Sequence, residues 1–322
     1  MEVRMADRKS AVLTPSELPC LSRQPTVNFT RGCALGCAYC YAQGYSGYPG
    51  DGVVVVYANT AEKVRAELPR KRKRPGRVFF SPSTDAFQPI PALHDTAYTV
   101  FEFLLGNGIN ISFSTKGRIP QRFIELFARH ADRVQAQVGV ISMNEAVTAQ
   151  FEPCAPPPRE RLAQIRRLAD AGVGTEARID PILPGATDDE ASLDVLCAAL
   201  ADAGVGHAAL NILYLRPSIR RALKRKVSDT PLLQRVLKQY EFPVSVPTSW
   251  GKWTQDALPA PARAAILSRA TRIATAHGIR TRVCGCMNHD VQPGNCNLGG
   301  RWPKPTHFLS ERQSELDLEG LE

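Results

Sequence analysis

Six of the nine cysteines in this 322-residue chain fall into two groups, at positions 33–40 and 284–296. The first group, Cys33, Cys37 and Cys40, has C-x3-C-x2-C spacing. Three thiolates on one loop can hold three irons of a cubane iron–sulfur cluster, and such clusters usually take four cysteine ligands. One iron would therefore stay open to another ligand, which is typical of a reactive centre rather than a closed structural site. Gly32 and Gly36 permit the tight turns that this loop needs.

A zinc site and a set of three unrelated buried cysteines are the alternatives for this loop. Zinc sites commonly combine paired C-x2-C units from nearby segments, whereas the second cysteine group lies far along the chain. The compact spacing argues against three unrelated residues. The residues favour a [4Fe–4S] cluster at Cys33, Cys37 and Cys40.

The second cysteine group, Cys284, Cys286 and Cys296, has C-x-C-x9-C spacing. This pattern predicts a metal site with three visible ligands, and His289, Cys20, substrate or solvent could supply the fourth. A second iron–sulfur cluster is the favoured interpretation. Zinc is the alternative, because three cysteines and one histidine form a standard structural zinc shell. A cysteine cluster without metal is a third interpretation.

Strand-length apolar runs alternate with amphipathic helical stretches over the first two thirds of the chain. About six repeats of strand and helix predict parallel strands joined by helical crossovers. Six units are too few for a closed eightfold barrel, so the fold class is α/β, a partial (β/α)6 TIM-type barrel with a cysteine-containing C-terminal extension. We expect an N-terminal extension at 1–23, the barrel at 24–215, and an extension with the second metal site and an acidic tail at 216–322.

The composition bounds the location and the partners of the protein. The formal net charge is +9, and the densest basic run, Arg70–Arg74, can be either a solvated loop or a nucleic-acid patch. No apolar run approaches the ~20 residues that a membrane helix needs, so no membrane partner is expected. The N-terminus lacks the apolar core of a secretory signal. Clustered cysteines in such a chain indicate metal binding in a reducing compartment, and we expect a cytoplasmic protein.

The loop pattern C-x3-C-x-aromatic-C, at the start of a series of βα units, resembles the radical S-adenosylmethionine (SAM) superfamily. Within it, the sequence is most similar to the spore photoproduct lyase branch, also described as DNA-repair-photolyase-like. The segments that carry this narrower similarity are Cys40–Gln43, Val56–Asn59, Ser81–Asp85, Ser114–Lys116, Ser142–Asn144 and Phe151–Pro153. They follow the family's order over residues 26–215.

The resemblance implies a mechanism and a set of cofactor-binding residues. In this family the open iron binds SAM, and one electron cleaves SAM to a 5′-deoxyadenosyl radical that abstracts hydrogen from a substrate carbon. The electron would come from a reductant such as flavodoxin or ferredoxin. The residues implied to contact SAM are Tyr39, Ser83, Thr84, Lys116 and Ser142. Lys116 would pair with the SAM carboxylate and Tyr39 would lie against adenine.

One position departs from the family's pattern. Photoproduct lyases have Ser-Cys-Thr-Ser-Asp, whose cysteine returns a hydrogen atom to the product radical, whereas Pro82 stands at that cysteine's position here. Proline has no exchangeable hydrogen, which argues against photoproduct repair by that route. Cys154 is a candidate substitute donor, and the alternative for it is an ordinary buried thiol.

Three functions follow from these residues. The first is a radical SAM enzyme that acts on an unidentified small molecule or peptide. The second is a photoproduct-lyase-like enzyme that repairs or modifies nucleic acid. The third is a non-catalytic metal-binding nucleic-acid protein.

Overall fold

The computed structural model describes residues 1–16, 18–22, 24–227, 230–247, 254–291 and 296. The strands are β1 (Glu2–Ala6), β2 (Thr14–Pro15), β3 (Pro25–Val27), β4 (Thr30–Arg31), β5 (Val53–Tyr57), β6 (Arg77–Phe80), β7 (Asn110–Thr115), β8 (Val134–Gly139), β9 (Gly174–Ile182), β10 (His207–Ile212), β11 (Val244–Pro247), β12 (Thr254–Ala257) and β13 (Arg280–Val283). The helices are α1 (Thr60–Arg70), α2 (Pro91–Gly106), α3 (Gln121–Ala128), α4 (Glu145–Phe151), α5 (Pro158–Asp170), α6 (Glu190–Asp202), α7 (Pro217–Lys226), α8 (Pro231–Lys238) and α9 (Ala260–Ala276).

The main sheet of the described residues has the strand order β13-β10-β9-β8-β7-β6-β3-β2. Each neighbouring pair from β3 to β13 is parallel, and only β2 is antiparallel to its neighbour. Parallel neighbours require crossovers, which the helices provide. Within the described ranges β2 and β13 are unpaired on their outer sides, so the sheet is open. The α/β class and the partial barrel are confirmed.

The core lies between this sheet and its helices. Apolar side chains fill the strands, as in the buried run of Val78, Phe79 and Phe80 in β6. A strand that is buried on both faces loses the alternating polar pattern of an exposed sheet. Phe101 of α2 packs edge-on against Phe80, with ring centroids 4.5 Å apart. These contacts fix the strand positions and hence the edge at which the strands end.

The C-terminal region adds a strand to the main sheet. Helix α9 leads into β13, which pairs in parallel with β10 through His207 opposite Arg280. The sequence predicted a C-terminal extension in this region, but not its incorporation into the sheet. The division of the chain at residue 215 stays a prediction. The acidic tail lies outside the described residues.

The N-terminal region forms a smaller sheet with the order β1-β5-β4. Residues 25–31 are divided between β3 in the main sheet and β4 in the smaller one. The loop that contains Cys33, Cys37 and Cys40 follows β4. In the part of the chain that the structure describes, no helix combines the length and the apolarity needed to cross a membrane.

Candidate active site

A cavity of about 490 Å³ opens at the carboxyl ends of the parallel strands. Ligand sites of barrels of this type lie at that edge, where the strand-end loops converge. The lining includes cysteines of both groups: Cys33, Cys37, Cys40, Cys284, Cys286 and Cys296. It also includes the strand-end polar residues Ser81, Ser83, Thr84, Asp85, Lys116, Arg178, Asp180 and Asn211. The tertiary fold thus brings the two cysteine groups to one cavity.

The cluster loop, residues 32–40, is held in a shape that its glycines permit. Gly32 has φ +78°, and a Cβ there would lie 2.3 Å from the carbonyl oxygen of Val53. Glycine is therefore required by both the conformation and the space. The buried side chain of Gln88 accepts a hydrogen bond from the Ala34 N–H at 2.7 Å. These contacts fix the conformation of the loop without help from a bound metal.

The three cluster cysteines are half-buried and line the cavity. Backbone N–H groups point at their sulfurs: Leu35 donates to Cys33, and Ala42 and Gln43 donate to Cys40. Such hydrogen bonds stabilise thiolate sulfur and tune iron–sulfur clusters. Burial, followed by the charge of Glu152, raises the pKa of Cys37 to about 12. Thiolates at this loop therefore need a bound cation, and the donor set fits an iron–sulfur cluster.

Tyr39 is buried between the cluster cysteines, and its hydroxyl donates a hydrogen bond to Glu152. Glu152 is 2% exposed and pairs with the Arg161 guanidinium at 2.5 Å. Burial and this carboxylate raise the pKa of the Tyr39 phenol well above its ordinary value. Tyr39 therefore stays a neutral hydrogen-bond donor.

Lys116 extends from the end of β7 into the cavity. Its Nζ donates to the carbonyl oxygen of Asp180 at 3.2 Å and lies 3.8 Å from Glu152 Oε1. It also lies 5.6 Å from the centre of the Tyr39 ring. The ammonium is thus a cation beside the cluster loop, where a carboxylate ligand could pair with it.

The end of β6 contributes three more polar groups to the cavity. Ser81 has φ +63°, a rare conformation for a non-glycine residue, and its buried hydroxyl has no hydrogen-bond partner among the described residues. The Ser83 N–H donates to the Asn28 amide oxygen at 3.0 Å, and the Thr84 hydroxyl lies 3.4 Å from the same oxygen. An orphaned buried hydroxyl on a cavity wall is available to a ligand.

Two predicted site residues lie outside this cavity lining. Ser142 is buried, and its hydroxyl accepts the N–H of Asn144 at 3.0 Å ahead of helix α4. Cys154 is exposed, so the buried-thiol interpretation of that residue is wrong. Its sulfur would lie 3.9 Å from a Cβ at Gly36, which places it behind the cluster loop. The structure does not bring either side chain to the cavity.

Several site residues were not identified as ligands or supports in the sequence. Asp85 accepts hydrogen bonds from the Thr115 hydroxyl and the Lys116 N–H, at 2.9 and 2.8 Å, and so ties β6 to β7. Arg178 pairs with Asp180 at 2.7 Å on the cavity wall. Asp85 and Glu152 lie in two of the family-like segments, Ser81–Asp85 and Phe151–Pro153, and this similarity could have marked them as site residues. Nothing in the local sequence distinguished Arg178.

The second cysteine group is joined by Cys20. Its thiol shares hydrogen bonds with Cys286 and Cys296, and Cys284 shares hydrogen bonds with the same two residues. His289, the other protein candidate for a fourth ligand, is exposed and does not line the cavity. Hydrogen bonds from Cys20 and Cys284 lower the pKa of Cys286.

Neither cysteine group is arranged as the ligand set of a single ion. Across the described ranges, no three histidine, cysteine or acidic side chains are grouped so that one metal ion could be held between them. A cluster places its irons at separate corners, so its ligands do not converge on one point. The spacing of Cys33, Cys37 and Cys40 therefore fits a multi-iron cluster.

Residues 27–196, more than half of the chain, match the model of the radical SAM superfamily. The chain belongs to this superfamily. The matched range includes the cluster loop and the strand ends from β6 to β9, which form part of the cavity lining described above.

Sequence relatives agree with this assignment. An uncharacterized protein of Mycobacterium tuberculosis is 32% identical over 221 residues, which are 66% of this chain and 65% of that protein. The chain therefore spans less than two thirds of that relative's length. The radical SAM Nalpha-GlyT isomerase of Pseudomonas phage M6 is 29% identical over 154 residues, 48% of this chain and 32% of that protein.

Solved radical SAM structures share the fold. A spore photoproduct lyase mutant with bound AdoMet and dinucleoside spore photoproduct matches with a TM-score of 0.68 and 17% identity, over 87% of this chain and 81% of that chain. The structure of Streptococcus suis SuiB bound to S-adenosylmethionine matches with a TM-score of 0.52 and 7% identity, over 83% of this chain and 52% of that chain. The radical SAM fold expected from the sequence is confirmed, as is its similarity to spore photoproduct lyase.

Proposed function

We propose that this protein is a radical SAM enzyme that abstracts hydrogen from a substrate carbon in the cavity at the strand ends. The observation that carries this proposal is the meeting of three cysteines of one loop with the half-buried cation of Lys116 and the orphaned hydroxyl of Ser81 on one cavity wall. The cluster bound by Cys33, Cys37 and Cys40, together with SAM, would supply the one-electron cleavage that makes a 5′-deoxyadenosyl radical. The chain's own residues bind, orient and shield these groups.

Lys116 and its neighbours would hold SAM by charge and hydrogen bonds. The Lys116 ammonium suits the SAM carboxylate, since charge-assisted hydrogen bonds are about twice as strong as neutral ones. Ser83 and Thr84 are positioned by Asn28 at the same wall. The buried Tyr39 ring, whose hydroxyl donates to Glu152, keeps water from that side of the cluster loop. A role for Ser142 would be indirect, through the turn that precedes α4.

A nucleic-acid substrate is the second candidate, and the charge of helix α7 favours it. The helix packs against the turn Tyr41–Gly44, which follows the cluster cysteines. Its basic residues are Arg220, Arg221, Lys224, Arg225 and Lys226. Arg221 and Lys224 are exposed, and Arg216 just before the helix lines the cavity. A phosphate backbone could lie along this surface and present a base to the cavity.

The same basic surface would suit the electron donor. Flavodoxins and ferredoxins are the donors that the resemblance implies, and a positively charged surface beside the cluster loop would steer an acidic carrier. The cysteines of the described residues are free thiols, which suits a reducing compartment, and we propose a cytoplasmic location. A second metal centre at Cys284, Cys286 and Cys296 is also part of the proposal, as an iron–sulfur cluster or, alternatively, zinc.

Formation of 5′-deoxyadenosine tests the catalytic proposal. The protein is reconstituted anaerobically with iron and sulfide and is then given SAM and dithionite. We expect 5′-deoxyadenosine from the native chain and from Cys197→Ala, whose thiol lies in α6 away from the cavity. The triple variant Cys33→Ala/Cys37→Ala/Cys40→Ala should form none. Equal product from the triple variant would refute the proposed cluster site.

Nucleic-acid binding separates the two substrate classes. We expect affinity for single-stranded or duplex DNA or RNA to fall steeply with salt if phosphates are contacted. The variant Arg221→Glu/Lys224→Glu should weaken it, whereas Arg72→Glu/Lys73→Glu, in the basic run outside the cavity lining, should not. No salt-dependent affinity, or equal losses in both variants, would leave a small molecule or peptide as the substrate.

A further inference from the structure

The four cysteines of the second site form a ring of contacts. Cys20 comes from the N-terminal region, Cys284 and Cys286 follow β13, and Cys296 comes from further along the chain. Cys20 and Cys284 each share side-chain hydrogen bonds with Cys286 and with Cys296. Every sulfur therefore contacts two others. Unrelated buried thiols have no reason to converge in this way from three segments.

The turn that carries two of these cysteines is fixed by a buried amide. Asn288 is fully buried, and its side-chain N–H groups donate to the carbonyl oxygen of Cys284 at 3.0 Å and to the amide oxygen of Asn211 at 3.1 Å. Its own oxygen accepts from the Tyr214 hydroxyl at 2.9 Å. The Cys284 N–H continues the β13 ladder by donating to Leu210 at 3.0 Å. The two cysteines are thus held by strand pairing and by a satisfied polar network.

The sulfurs also receive donors of the kind that surround metal-bound thiolates. The backbone N–H of Cys20 hydrogen-bonds the Cys286 sulfur, and the Arg178 side chain hydrogen-bonds the Cys296 sulfur. The Gln137 amide donates to the carbonyl oxygen of Cys296 at 3.1 Å. Groups that orient ligands and stabilise thiolate charge are the usual surroundings of a metal site.

We propose that Cys20, Cys284, Cys286 and Cys296 are the four ligands of a second, closed iron–sulfur cluster on the wall of the cavity. Because four thiolates fill its ligand positions, no iron of this cluster is open to SAM or substrate. The cluster joins the N-terminal segment, whose Leu18 and Leu21 also line the cavity, to the loop after β13. Its position therefore completes the cavity wall. This assignment extends the proposed function, and it rests on that proposal because it takes the cavity to be the active site.

Iron and sulfide content of the reconstituted protein tests the ligand set. We expect about eight irons and eight sulfides per chain, from about four per cubane. Cys20→Ala and Cys286→Ala should each lose about half of both, and the control Cys197→Ala should lose none. Retention of the full iron content by Cys20→Ala would overturn its role as a ligand. Stoichiometric zinc in place of the second set of irons, or only about four irons in the native chain, would overturn the cluster.

A second variant keeps the test independent of the first cluster and of folding. Cys33→Ala/Cys37→Ala/Cys40→Ala should retain about four irons and a cubane spectrum while it makes no 5′-deoxyadenosine. This result holds whether or not the proposed catalysis is correct, so the two proposals fail separately. Circular dichroism of Cys20→Ala and of Cys20→Ser distinguishes metal loss from unfolding, and a folded Cys20→Ser with a complete, unaltered cluster would contradict the assignment.

The closed ligand shell has its own spectroscopic signature. Addition of SAM to the reduced native protein should change the electron paramagnetic resonance signal of one cluster and leave the other unchanged. In the triple variant SAM should change nothing. A SAM-dependent signal in the triple variant would show an open iron at the second site and would overturn the closed assignment.

Discussion

The phenol of Tyr39 donates a hydrogen bond to Glu152, a carboxylate that also pairs with Arg161 at 2.5 Å. This contact joins the cluster loop to the connection between α4 and α5. Arg161 in turn donates to the carbonyl oxygen of Gly139 at the end of β8, at 2.9 Å. The cluster loop is therefore braced by a buried charge pair that also borders Lys116.

Replacing Glu152 with Ala should destabilise the protein strongly. Arg161 is 1% exposed, so the substitution leaves a buried guanidinium without its countercharge, which costs about 3–5 kcal/mol. Glu160→Ala is the matched control, because it removes a carboxylate from an exposed pair with Arg118 worth about 1 kcal/mol or less. Urea denaturation measures both. Equal losses in the two variants would contradict a buried brace.

Lys116→Met should weaken SAM binding to the reconstituted protein. A hydrogen bond to a charged group contributes about 1.5–3 kcal/mol, so its loss lowers affinity about 10- to 100-fold. The methionine side chain keeps much of the packing. Lys73→Met removes an equal charge from an exposed position outside the cavity lining and should leave the affinity unchanged. Equilibrium titration with SAM distinguishes the two, and an unaltered affinity in Lys116→Met would remove this residue from the binding site.

Gly32→Ala should prevent the cluster loop from closing around its metal. The added Cβ would lie 2.3 Å from the Val53 oxygen, and φ +78° is strained for alanine. We expect iron content after reconstitution to fall by roughly the four atoms of one cubane. Gly76→Ala is the control, since its Cβ meets nothing within 4 Å and its φ is ordinary. Normal iron content in Gly32→Ala would show that the loop can adapt.

Glu176→Gln should stabilise the protein in a pH-dependent way. Burial raises the pKa of this carboxyl in β9 to about 7, above its ordinary value of 4.5. Below pH 4.5 both the native and unfolded states hold the proton, so the native carboxyl has no penalty. Between pH 4.5 and 7 only the unfolded state releases it, and stability falls as pH rises; above pH 7 the loss is complete, on the order of 3 kcal/mol.

The amide variant lacks this titration and can still accept the hydrogen bond from Gln137. We therefore expect thermal melting of Glu176→Gln and the native chain to be similar near pH 4.5 and to diverge in favour of the variant by pH 8. Parallel melting curves at all pH values would mean that the carboxyl titrates normally in the folded protein.

Local sequence was sufficient for the features that depend on neighbouring residues. The spacing of Cys33, Cys37 and Cys40 predicted the cluster loop, because three thiolates on one short loop can bind separate irons of one cluster. The order of apolar strands and amphipathic helices predicted the parallel sheet, because burial on both faces leaves a continuous apolar run. The family resemblance implied that Ser83, Thr84 and Lys116 contact SAM, and all three line the cavity.

Tertiary structure decided what joins distant parts of the chain. Only the folded sheet brings Cys20 to Cys286, supports Tyr39 with Glu152 and Arg161, and leaves Ser142 and Cys154 outside the cavity lining. Such contacts have no local pattern, since their energy is realised only when widely separated segments are packed against one another and the cost of ordering the chain between them has been met. Residue types and spacing therefore specified the chemistry available to this protein, while packing selected which of those residues share a cavity.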